Sequence, residues 1–114
     1  MDNEDLLGSF EQLVLLAIVR LKDNAYGMTV RQEIEGRTGR SVSLGAVYAT
    51  LDRLESKGYV ASRKGEASVE RQGRAKRFFR IESAGAAALR QSLRAIENMR
   101  AGVRGFKSQP GITT

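Results

Sequence analysis

The stretch "SLGAVYATLDRLESKGYV", Ser43 to Val60, carries two patterns at once. Leu44, Val47, Tyr48, Leu51 and Leu54 step by three, one, three and three. At 100° per residue they span an arc of roughly 120°, the stripe of a helix that packs on a core. The opposite side holds Ala46, Ala49, Arg53, Ser56 and Lys57, with Gly45 and Thr50 on its flanks. Gly58 is placed to end the helix in a left-handed conformation. One face is therefore built to anchor, and the other is slim enough to let something approach closely.

Upstream, the spacing predicts a first helix over about Ser9–Leu21, with Ser9 as its N-cap. Phe10, Leu13, Val14, Ala17 and Leu21 form one stripe, and Leu15, Leu16, Ile18 and Val19 fill much of the rest. A helix apolar on most sides is buried on most sides. It is either the central core helix or a helix partly covered by another chain. "KDNAYG" breaks the pattern with turn formers. A second helix follows over about Tyr26–Thr38, with Gly39 as its terminator.

Downstream, "YVASRK" and "KRFFRI" read as two strands around the polar loop "GEASVERQGRA". The hairpin carries Arg63, Lys64, Arg71, Arg74, Lys76, Arg77 and Arg80 against Glu66 and Glu70, a balance of +5. A last helix is expected over about Ser83–Arg104. Ala86, Leu89, Leu93, Ile96 and Val103 alternate by threes and fours along it, with Arg100 in the missing seam position. Such a seam suits a short coiled-coil contact. At 1.5 Å per residue the helix is long for so small a domain, which favours pairing with a second subunit over packing on its own domain.

Composition narrows the function. The 114 residues include no cysteine and no histidine. That argues against disulfides, metal centres of the zinc, copper or haem type, and histidine-based acid–base catalysis. No carboxylate pair stands out either, so the expectation is no enzyme, no cofactor and no metal. The longest apolar run, Leu13 to Val19, is too short to span a bilayer. The acidic start is unlike a signal peptide, so a cytoplasmic protein without membrane attachment is expected. Net charge is +6, and the four charged residues among the first twelve (Asp2, Glu4, Asp5, Glu11) are all acidic, leaving +10 for the rest. A polyanion, most often nucleic acid, is the partner such a balance suits.

The fold expected is mainly α with a small β-hairpin. It comprises a winged helix-turn-helix domain over residues 1–82, a C-terminal dimerisation helix over 83–104 and a flexible tail over 105–114. In that arrangement the helix of the opening stretch enters the major groove of double-stranded DNA. Ala46, Ala49 and the Thr50 methyl are candidates for thymine methyls, and Arg53 for guanine or phosphate. Lys64, Arg74 and Lys76 on the wing are candidates for phosphates. A winged-helix module that binds an acidic protein is the competing reading, though an interface of that kind favours aromatic anchors over small residues.

The chain resembles the PadR-like transcriptional regulators over about residues 8–104. The resemblance rests on "AYGMTVRQEIE" (Ala25–Glu35), on the opening stretch, and on "GRAKRFFRIESAG" (Gly73–Gly85). Ser43, Gly45, Tyr48, Arg53, Leu54, Glu55 and Gly58 match the family pattern position by position, as do Lys76, Arg77, Phe78 and Phe79. Ala49 replaces a common proline, which bears on base preference, and Glu82 replaces a common threonine. The resemblance implies a homodimeric repressor on a near-palindromic operator, often of efflux or detoxification genes, in some members released by a small apolar effector. It implies that Leu13 and Leu16 of the first helix join Leu89, Leu93, Ile96 and Val103 in the dimer. It also implies that Ser43, Gly45 and Tyr48 lie at the DNA. Tyr48 is open to two readings, core packing and phosphate contact. With no tryptophan in the chain, a tryptophan-lined effector site is not available.

Overall fold

The computed structural model describes residues 6–67 and 75–106. The elements are α1 (Ser9–Leu21), a 3-10 turn (Lys22–Asn24), α2 (Gly27–Thr38), α3 (Leu44–Ser56), β1 (Val60–Ala67), β2 (Ala75–Ile81) and α4 (Ser83–Arg100). The strands pair antiparallel from Val60↔Ile81 through Lys64↔Arg77. Tyr26 bridges to Phe78, and the Phe79 N–H donates to Ala25 O at 2.8 Å. The entry to α2 thus lies along the outer edge of the wing.

Local chemistry sets most boundaries. Gly39 and Gly58 take φ of +73° and +79°, the left-handed stops that close α2 and α3. Ser43 caps α3, its Oγ accepting the Ala46 N–H at 3.0 Å. The cap of α1 falls one residue before the expected Ser9. Gly8 is the N-cap, and its N–H donates to Glu11 Oε1 at 3.1 Å. Tyr26 likewise caps α2 rather than opening it, with its N–H on Thr29 Oγ1 at 2.9 Å. Both strands run further into the loop than expected, β1 to Ala67 and β2 from Ala75. Helix α4 stops at Arg100, so Val103 lies beyond it.

The core is a three-helix cluster closed by the hairpin and α4. Val14, Leu15 and Ile18 of α1 meet Val30 of α2 and Val47, Leu51 and Leu54 of α3, all with almost no exposed surface. Helix α4 puts Gly85, Ala88, Leu89 and Ser92 on this core, and Ser92 Oγ accepts the Leu7 N–H at 2.9 Å. Leu89 is therefore a core residue rather than an interface residue. The reason is local: a Cβ on Gly85 would stand 2.1 Å from the Tyr59 carbonyl oxygen, so glycine lets the helix start close against the chain leaving α3. Beyond Ser92 the helix leaves the core, and Leu93, Ile96 and Met99 are 40%, 59% and 78% exposed.

Gly85→Ala is expected to destabilise the fold by about 2 kcal/mol or more, because backbone must move. Gly36→Ala, at a site in α2 with open space around the added methyl, is expected to stabilise it by roughly 0.5–1 kcal/mol. Urea unfolding of the two variants checks both signs.

Candidate nucleic-acid interface

Helix α3 is held from several sides, which leaves one face free. Val47, Leu51 and Leu54 are sealed in the core. Leu44 and Tyr48 lie at its edge. Gly45, Ala46, Ala49, Asp52, Arg53, Ser56 and Lys57 are exposed. Beyond its own stretch of helix, no atom of the described residues stands within 4 Å of where a Cβ on Gly45 would be, so its side of the helix is open.

Thr50 departs from expectation. It is 3% exposed, and no surface remains for its methyl to meet a base. It stands three residues after Val47 and four before Leu54, on the buried line. Its Oγ1 accepts from Arg53 Nη2 at 3.3 Å, so it steadies the arginine instead.

The ring of Tyr48 lies over the first turn of α2. A Cβ on Gly27 would stand 2.3 Å from Tyr48 Cζ and 2.4 Å from its hydroxyl oxygen. Glycine at 27 is thus the counterpart of tyrosine at 48, and the two fix the spacing of α2 and α3. The body of Tyr48 packs while its side chain stays partly exposed.

Arg53 and Lys57 meet a partner that their own neighbourhood does not disclose. Glu11 of α1, with a side chain only 10% exposed, places Oε2 3.4 Å from Arg53 Nε and 3.1 Å from Lys57 Nζ. Burial pushes the Glu11 carboxyl up, but the Gly8 N–H and the two cations outweigh it, and the group titrates below the ordinary glutamate range. The Gly8–Glu11 spacing, with the acid three residues after the cap, was the visible part of this arrangement.

The wing is tied to α3 by Arg77. Its guanidinium bonds Asp52 Oδ1 at 3.2 Å, Ser62 Oγ at 3.2 Å and Glu55, and stacks 4.8 Å from the Phe79 ring. Directly opposite in register is Lys64, which is exposed and shares that face of the hairpin. Lys76 lies on the other face, 4.4 Å from the Tyr26 ring centre, next to Phe78, over which Arg63 sits at 4.8 Å. The expected phosphate contacts are thus split between two faces: Lys64 on the α3 side, Lys76 away from it. Arg74 and the tail after Phe106 lie outside the described residues. Arg80 is paired with Glu82 at 3.0 Å. Among the described residues, no group of three or more acidic side chains is arranged to hold a metal ion, and no helix is long and apolar enough to cross a membrane.

This architecture is that of a winged helix-turn-helix. The model of the Transcriptional regulator PadR-like family matches residues 15–91. The chain is 37% identical over 86 residues, 75% of its length, to the transcriptional regulator Rv3488 of Mycobacterium tuberculosis, covering 76% of that protein. Among solved structures, a transcriptional regulator from Clostridium thermocellum superposes with a TM-score of 0.67 at 22% identity, over 79% of this chain and 84% of that one. Bacillus subtilis PadR in complex with operator DNA superposes with a TM-score of 0.65 at 16% identity, over 75% of this chain and 48% of that one. The chain belongs to the PadR-like family of transcriptional regulators.

The Glu11 clamp gives a pH prediction. Its folded pKa is lowered, so its stabilisation is complete above the unfolded value and is lost as pH falls through the folded one. Glu11→Gln keeps an acceptor for Gly8 and removes the charge. It is expected to cost roughly 1 kcal/mol at pH 7, a modest figure because both cations are about half exposed. In paired denaturation curves the gap should narrow as the pH falls below the ordinary glutamate range.

Proposed function

We propose that this protein is a sequence-specific regulator that binds double-stranded DNA through α3 and the wing. One observation carries the reading: a helix anchored by three fully buried residues turns Gly45, Ala46 and Ala49 outward, exposed among the described residues. A face that thin lets a helix backbone come close to base edges. Ser43, Gly45, Ala46, Tyr48, Ala49 and Arg53 form the reading edge in this proposal. Lys64 supplies phosphate contact beside it, and Lys76 supplies it from the other face of the wing.

The working form is a homodimer. Exposed Leu16 and Val19 on α1, and Leu93 and Ile96 on α4, are the apolar surface that a second copy would cover. Two copies would place two α3 helices on a near-palindromic operator about one DNA turn apart. A mainly apolar cleft of about 420 Å³ between α1 and α2, lined by Leu13, Leu16, Ala17, Val19 and Ile34 with Arg20, Glu33, Arg37 and Thr38 at its edges, shares Leu16 and Val19 with that surface. It is the space we assign to a small apolar effector. By family likeness the protein is a cytoplasmic repressor of efflux or detoxification genes, with DNA release as the response.

Mobility shift with the gene's own upstream region tests the core of this. Tighter binding than to random DNA at physiological salt is expected; equal binding would shift the reading to an acidic protein partner. Lys64→Ala should reduce the slope of log K against log salt by about one per subunit. For the dimer, the paired change Leu93→Glu and Ile96→Glu should give a folded monomer in sedimentation. Those two positions lie outside the core, whereas removing all of α4 would take Leu89 and Ser92 with it.

A further inference from the structure

We propose that Glu11 is a specificity-determining residue of the DNA interface, a positioning group that acts through Arg53 and Lys57. The inference rests on the reading of α3 as the DNA-facing helix.

Arg53 and Lys57 stand four residues apart at the C-terminal end of the exposed face of α3, with side chains 53% and 41% exposed. Both converge on a single oxygen, Glu11 Oε2. The other oxygen, Oε1, is held by the Gly8 N–H at 3.1 Å. The carboxylate is therefore fastened to the backbone of α1 and does not travel with the cations if they swing outward. Thr50 Oγ1 holds the guanidinium from a second direction. With Nε on Glu11 and Nη2 on Thr50, Arg53 keeps Nη1 free of both and aimed by both.

Two consequences follow from the charges. Without Glu11 the pair would carry +2 and could each neutralise whatever phosphate came near, in any register. With it the pair carries a net +1, and the arginine has a defined direction. Sequence-independent affinity grows with the number of phosphates neutralised. Discrimination grows with fixed geometry at base edges and at phosphates that set register. Glu11 lowers the first and supports the second. A carboxylate serving only as a helix cap would need Gly8 alone; here a second oxygen is spent on both exposed cations of the α3 terminus.

The test measures binding of the full chain to its upstream fragment and to a random duplex of equal length, across a salt series. Wild type, Glu11→Gln and Glu11→Asp are compared. Glu11→Gln is expected to bind random DNA about fivefold tighter at 0.15 M salt and to steepen the salt slope by about one per subunit, the effect of one added phosphate contact. The ratio of specific to random affinity should fall by a similar factor. Glu11→Asp, which keeps the charge, should return the slope toward wild type. If Glu11→Gln proves too unstable, the same series is run in the Gly36→Ala background. A folded Glu11→Gln protein with wild-type slope and ratio overturns the inference while leaving the DNA reading intact. So does a Glu11→Asp protein that behaves like Glu11→Gln. A wild type that does not discriminate between the two duplexes overturns the DNA reading, and this inference with it.

Discussion

Burial of Val47, Leu51 and Leu54 between α1 and α2 is the constraint on which the remainder depends. These three side chains fix the roll of α3 about its axis, and that roll decides which residues face outward. Gly45, Ala46 and Ala49 are exposed because they lie opposite the anchors. Removing such side chains from water supplies most of the stabilisation in a domain of this size. Few other contacts could hold a 13-residue helix with so little bulk on its outer side.

Around that anchor, three polar or steric devices set the remaining degrees of freedom. Tyr48 against Gly27 spaces α3 from α2. Arg77 ties the wing to Asp52 and Glu55, which links the hairpin to α3. Glu11 ties the far end of α3 to α1. Each acidic residue of α3 is engaged with the wing, and the two cations at its end are engaged with α1. The charge pattern of the helix is thus largely spent within the fold.

Helix α4 shows how one element serves two surfaces. Its first half belongs to the core through Gly85, Ala88, Leu89 and Ser92. Its second half carries Leu93, Ile96 and Met99 into the open. The change comes where the helix outruns the three-helix cluster it packs on. The apolar seam is continuous in the sequence, and the geometry of the neighbours divides it.

Local rules made much of the fold legible in the sequence: the 3.6-residue period of α3, the Ser43 cap, the glycine stops at 39 and 58, and the two strands of the wing. These depend on residues within a few positions of one another. What the tertiary structure decided lies between residues far apart. Thr50 reads as surface by its polarity, yet the packing of Val47 and Leu54 on either side of it draws it inside. Leu89 reads as interface by its seam, yet the close approach at Gly85 brings it into the core. Arg53 reads as a free cation, yet its partner stands 42 residues earlier. Sequence alone determined which helix has an anchored face and a thin one, because periodicity is a property of neighbours. Only the tertiary structure decided which of its charges remain available, because that depends on which distant groups the core brings within hydrogen-bond reach.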